Sequence, residues 1–263
     1  MEKRLIARGL LAGVAGAILA FVFARVFAEP VIARAIDYED GRAHAASAQG
    51  VHEHGVELFT RGVQVNAGLG FGVLIFGVAM GALFAVLFCV VYGRVGEVGP
   101  RALSVLLAVG SFAAVYLVPF VKYPPNPPAV GHADTIGERT GWYLLMVLTS
   151  VVLAVAAAWL ARALASRVGA WNAGLIAVGL YTLVVAVVMF LLPTVDETPE
   201  PIRDAQGVIV FPGFSADDLY DFRLAALGTQ LVLWATIGLV FATLAGRLLG
   251  ERAESGRATS IAA

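Results

Sequence analysis

The chain has 263 residues, 59% of them hydrophobic and 14% charged, with a formal net charge of −1. A soluble domain of this size carries about a quarter charged residues, so the composition excludes an ordinary soluble protein and indicates an all-α, polytopic integral membrane protein. Cys89 is the only cysteine, which excludes a disulfide framework and a cysteine metal cluster.

Six stretches reach the roughly 20 apolar residues that a bilayer-crossing helix needs: Leu5–Phe27, Val63–Tyr92, Ala102–Val121, Trp142–Leu160, Trp171–Leu192 and Leu224–Leu244. They predict a bundle of six transmembrane helices in one domain over residues 1–250, followed by a short polar, disordered tail at 251–263. The first stretch follows Lys3 and Arg4 as a signal peptide would. It leaves through Arg25-Val-Phe-Ala-Glu-Pro30 with no Ala-x-Ala site there, and reads as a retained helix. With the N-terminus in the cytoplasm, that side holds ten basic residues against four acidic, and the other side eight against fifteen. The asymmetry predicts an inner-membrane protein with both termini cytoplasmic.

The first outer loop, Glu29–Arg61, is rich in Ala, Gly, Ser and Gln and reads as mobile. The second span carries Gly68-x-x-x-Gly72 and Gly77-x-x-x-Gly81, and the first carries Gly9-x-x-x-Gly13. Small residues at this spacing let helix backbones approach closely. Between the third and fourth spans, four of the eleven prolines fall within Pro124–Pro128. They stiffen an extended segment that cannot continue a helix. Thr135-Ile-Gly-Glu138 then has capping-box spacing, as does Ser215-Ala-Asp-Asp218 ahead of the sixth span. The two three-helix halves are similar in size, but no internal repeat is evident.

All four histidines (His44, His52, His54, His132) fall on the outer side. His52-Glu53-His54, with His44 upstream and Glu57 downstream, is the candidate metal-ligating set. Imidazole with carboxylate suits Co²⁺, Ni²⁺, Zn²⁺ or Cu²⁺, and the ligand types alone do not choose among them. A solvated loop that happens to contain histidines is the plain alternative.

Polar side chains at the outer ends of the spans form a candidate transport path. Gln64 and Asn66 open the second span, Lys122, Asn126, Glu138 and Arg139 sit around the third and fourth, and Arg223 and Gln230 share a stripe of the sixth. Snorkelling or ion pairing accounts equally well for the arginines. No Asp, Glu or His lies inside a predicted span, so a bare divalent ion would have to cross on amides, hydroxyls, carbonyls or a partner's residues. Gly-x-Ser-x-Gly, His-Glu-x-x-His and phosphate-loop motifs are missing, and Lys3 and Lys122 are the only lysines. The chain therefore reads as a non-enzyme with no internal ATPase.

Several segments together resemble the CbtA family of cobalt transporter subunits. They are Arg8-Gly-Leu-Leu-Ala-Gly13, Phe23-Ala-Arg-Val-Phe-Ala-Glu-Pro30 and Arg61-Gly-Val-Gln64. Further on are Tyr116-Leu-Val-Pro-Phe-Val-Lys-Tyr-Pro-Pro-Asn-Pro-Pro128, Asp134-Thr-Ile-Gly-Glu-Arg-Thr140 and Phe222-Arg-Leu-Ala-Ala-Leu-Gly-Thr-Gln-Leu-Val-Leu-Trp-Ala-Thr236. The resemblance implies a membrane component of a cobalt uptake system linked to cobalamin supply, with Co²⁺ as substrate and no cofactor. It also implies a small single-span, histidine-bearing partner of the CbtB type; a homo-oligomer is compatible with it, and nucleic acid is not a partner. In this reading His44, His52, His54 and Glu57 collect the metal. The residues themselves leave open nickel or a whole metal chelate as cargo, and a scaffold or regulatory protein that moves nothing.

Overall fold

A computed structural model describes residues 1–48, 68–96, 98–132 and 134–261, with side chains described as far as Gly250. Among the described residues, six helices are long and apolar enough to cross a bilayer: Glu2–Phe27 (α1), Leu69–Val91 (α3), the run Pro100–Lys122, Ile136–Val168 (α6), Ala170–Leu191 (α7) and the Ala216–Gly250 part of Ala216–Ile261 (α8). Helices suit this composition because a lipid-embedded backbone must satisfy its own hydrogen bonds. The described residues form an all-α fold with one short hairpin, Ile202–Arg203 (β1) and Ile209–Phe211 (β2), paired antiparallel with Ile202 opposite Phe211.

Three expectations change. Of the segment Glu29–Arg61 read as a mobile loop, Glu29–Ala48 is an α-helix (α2), and residues 49–61 lie outside the described residues. The alanines of α2 favour helix and Pro30 sits in the first turn, where a missing N–H costs nothing. Of the expected metal ligands, His44 lies on α2, while His52, His54 and Glu57 lie outside the described residues, as do Gln64 and Asn66. The polar tail expected to be disordered continues α8 in helical form to Ile261. At Thr135 the helix starts as expected, but no capping box forms: the Thr135 hydroxyl donates to the His132 carbonyl, and Glu138 accepts from the Trp142 indole instead.

The chain divides into two compact units. The first holds α1, α3, Pro100–Ser111 (α4) and α8 from Leu224 onward. Gly9, Gly13, Gly16, Ala17, Ala20 and Ala24 form a buried stripe on α1. Gly9 meets Gly81 and Gly13 meets Gly77, a register that runs antiparallel with α3. A Cβ on Gly77 would lie 2.7 Å from that of Ala17, so glycine is required for the approach. By contrast, Gly72, in the other motif of the same helix, has open space around it. Gly16 packs on Leu233 and Ile237, and the Phe23 ring lies over Gly228, which seats α8 along a second face of α1. Phe241 is the centre of this packing, with Phe84 and Phe88 edge-on at 5.2 and 5.1 Å and all three rings buried. Arg94 closes the α3 terminus by donating to the Val90 carbonyl, where a cation also complements the helix dipole.

The described residues of the second unit are 31–48, 113–132 and 134–223. The run that began as α4 widens into a π-helical turn over Phe112–Leu117 and closes as Val118–Lys122 (α5). Pro119 directly follows the widened turn, and its ring can neither donate nor accommodate the preceding turn's carbonyl. Antiparallel α6 and α7 are joined at Gly169, whose φ of 82° only glycine adopts freely. The two helices are fastened by a hydrogen bond of 2.7 Å between Ser150 and Tyr181. At 33 residues, α6 is about 50 Å long, which exceeds the roughly 30 Å hydrocarbon core. Phe190 and Trp171 on α7 are 88% and 78% exposed, an arrangement suited to lipid rather than water.

At the loop-rich end of this unit, α2 is held against the hairpin and the start of α8. Tyr38 packs on Phe211 and Phe214 at 5.3 and 5.0 Å and donates to the Pro212 carbonyl. Arg34 pairs with Asp218 at 2.6 Å and Asp221 at 3.4 Å. Here Ser215 does cap α8, accepting from the Asp218 amide at 3.3 Å, while the Asp218 carboxylate goes to Arg34.

Candidate functional site

The proline run determines the site. Pro124, Pro125, Pro127 and Pro128 keep the chain extended after Tyr123, and the loop turns back through Ala129 and Gly131, both at positive φ (67° and 121°). A Cβ on Gly131 would stand 2.9 Å from the Arg139 guanidinium carbon, so the glycine leaves room for that arginine. The loop walls a cavity of about 680 Å³, within the usual range for small-molecule pockets.

Helix α6 supplies one face through Ile136, Arg139, Thr140 and Tyr143, the i, i+3, i+4, i+7 stripe of a helix. Tyr116 and Phe120 face it, and Arg223 and Asn126 complete the polar part. Arg223 donates from Nη2 to Asn126 Oδ1 at 3.0 Å, while its buried Nε has no hydrogen-bond partner among the described residues. Arg139 donates from Nη2 to the His132 carbonyl at 3.1 Å, and its Nε lies 3.3 Å from Glu197 Oε2. The cavity is therefore aromatic with two guanidinium groups. Among the described residues, none that lines it carries a carboxylate or an imidazole. At about 5 Å and an effective dielectric near 20, an unpaired guanidinium would oppose a unit positive charge by about 3 kcal/mol; Glu197 beside Arg139 and the Asp196 charge acting on Arg223 offset that repulsion.

Glu197 is the counter-charge behind this wall, with its side chain 10% exposed. The Thr135 hydroxyl, shared between this carboxylate and the His132 carbonyl, then the His132 amide and the Arg139 charge, hold its carboxyl below the ordinary range. Asp196 is held low by hydrogen bonds from the Thr198 hydroxyl and amide. In both, hydrogen bonds to the ionised form outweigh desolvation.

Of the polar set expected along a path, Asn126, Arg139 and Arg223 come together in this cavity. Lys122 is turned aside: its Nζ donates to the Leu192 carbonyl at 2.9 Å and tethers the end of α7 to α5. Glu138 pairs with Trp142. Gln230 lies on the part of α8 that belongs to the first unit. No group of three metal-ligating side chains occurs among the described residues. The hydrogen bonds of His132 here come from its backbone, the amide donating to Glu197 and the carbonyl accepting from Arg139 and Thr135. Glu197 and the tyrosines were not foreseen. The stripe from Ile136 to Tyr143 was legible as helical periodicity, whereas nothing in the sequence ties Glu197 to His132, 65 residues away.

The family model for CbtA, described as a probable cobalt transporter subunit, matches residues 2–246. The chain belongs to the CbtA family. This CbtA chain is thus a multi-pass membrane protein of a family of transporter subunits, and such a component implies further subunits. No curated protein and no solved structure matches it.

Proposed function

We propose that this CbtA chain is the membrane-embedded component of a cobalt importer linked to cobalamin supply, with Co²⁺ as substrate, no catalytic residues and no resident cofactor. The family match over residues 2–246, on a chain with six bilayer-length apolar helices, carries the reading. It lies in the inner membrane with both termini cytoplasmic, which the placement of Arg94 and Arg101 about the α3–α4 connection and of Arg162 and Arg167 near the end of α6 supports. On the outer side, His44, His52, His54 and Glu57 collect the metal, and the stiff loop from Lys122 to Pro128 with Arg139 shapes the mouth. A small single-span partner of the CbtB type, bearing histidines, supplies intramembrane ligands that this chain lacks.

Cellular cobalt measured by mass spectrometry at submicromolar external Co²⁺ tests this. Cells expressing the chain together with its small partner accumulate cobalt, and the His52→Ala/His54→Ala variant accumulates less. No accumulation with both proteins present overturns the importer, and unchanged uptake by the double variant overturns the collecting role.

A further inference from the structure

Among the described residues, the cavity walled by the proline loop has no carboxylate or imidazole in its lining to hold a bare dication, and the carboxylates that face its arginines, Glu197 for Arg139 and Asp196 for Arg223, lie outside that lining. Its charged lining groups among these residues are Arg139 and Arg223, and its remaining walls are mainly tyrosine, phenylalanine and proline, with Asn126, Thr140 and three aliphatic side chains. The buried Nε of Arg223 has no hydrogen-bond partner among the described residues, while its Nη2 donates to Asn126. A guanidinium's fork matches carboxylate geometry, and burial strengthens the pairing. Flat aromatic and proline surfaces suit the organic frame attached to such a group.

We propose that this cavity binds a carboxylate-bearing anion, and that the metal reaches it as an anionic carboxylate chelate, with the carboxylate on Arg223 and Arg139 and the frame against Tyr116, Phe120 and Tyr143. The metal-carrying part of the proposal rests on the cobalt-importer reading; the carboxylate site does not. A dication masked by carboxylates meets attraction from the two arginines. The absence of acids and histidines inside the predicted spans is then no obstacle at this step, because the ligands travel with the metal.

The test is equilibrium dialysis of the full chain in neutral detergent against cobalt citrate, a net anion, against citrate alone and against cobalt chloride alone. Cobalt is read by mass spectrometry and citrate by radiolabel. Citrate is retained with or without cobalt, and cobalt is retained together with citrate. Arg223→Gln and Arg139→Gln each weaken retention about tenfold or more. Thr140→Phe, which keeps both charges but fills the cavity, abolishes it, and this variant carries the test if an arginine variant does not fold. Retention of cobalt from the chloride that is indifferent to Thr140→Phe, with none of citrate, overturns the proposal, as does undiminished citrate retention by folded variants. Repeating the dialysis in phosphatidylcholine nanodiscs with and without phosphatidylglycerol separates the remaining source of an anion. Citrate binding abolished by the anionic lipid assigns the cavity to a headgroup and overturns the proposal. Failure here leaves cobalt accumulation by wild-type cells intact, whereas citrate binding in dialysis without any cobalt accumulation in cells strikes the importer reading alone.

Discussion

Adding one methyl group to α3 gives opposite results at two glycines nine residues apart. At Gly81 a Cβ would stand 2.7 Å from Gly13 Cα and 2.8 Å from Gly13 N. Carbon atoms settle at about 3.5–4.0 Å, so α1 and α3 must separate by roughly 1 Å. A gap of that size forfeits about a quarter to a half of each contact worth roughly 0.1–0.2 kcal/mol, and over some tens of atom pairs the loss is about 2 kcal/mol. Alanine's better helix propensity returns about 0.5–1 kcal/mol. Gly81→Ala is therefore net destabilising by about 1–2 kcal/mol. At Gly72 a Cβ meets nothing within 4 Å, so Gly72→Ala is neutral or stabilising by up to about 1 kcal/mol. Reversible unfolding in mixed micelles of increasing SDS content measures both. A Gly81→Ala protein as stable as the wild type, beside a weakened Gly72→Ala, would show that the α1–α3 contact is not where the structure puts it.

Ser150→Ala and Tyr181→Phe each cost about 0.5–1.5 kcal/mol, and the double variant costs little more than either alone because one hydrogen bond is shared; a double-mutant cycle in the same micelles reads the coupling. Tyr38→Ala removes the ring between Phe211 and Phe214 and raises hydrogen exchange across residues 31–48, while Arg34→Ala, whose side chain is 46% exposed, has a small effect that vanishes at high salt. Equal exchange in the two variants would show that the ion pairs, not the ring, hold α2. Glu197 and Asp196 titrate below their unfolded values, so their contribution is complete at neutral pH and is lost as the pH falls through the folded values. Proteolysis of the segment 192–215 is accordingly constant from neutral pH down to about 5 and accelerates below about 4, and Glu197→Gln removes much of that acid response; a response that begins near pH 6 would point to histidine instead.

The span count was legible in the sequence because crossing a bilayer is a local requirement: a run of apolar residues, with every backbone group satisfied inside its own helix. The start of α8 after Ser215 was local too, set by a serine whose oxygen reaches an amide three residues on. Thr135 shows the limit of that kind of reading, since the same spacing was present and the loop's carbonyl at His132 took its hydroxyl.

The glycine motifs mark the same boundary within one helix. Gly68-x-x-x-Gly72 and Gly77-x-x-x-Gly81 look alike in the sequence, but the glycines of the second meet the α1 backbone, whereas a Cβ on Gly72 would meet nothing within 4 Å. The cavity is likewise a tertiary product: Arg139 was visible at a helix start, but its neighbour Glu197 and the lining Arg223 arrive from positions far along the chain. Hydropathy and capping are properties of adjacent residues and survive in the sequence. Which small face a helix buries, and which charges share a cavity, depend on contacts between distant segments, and those exist only once the helices have packed.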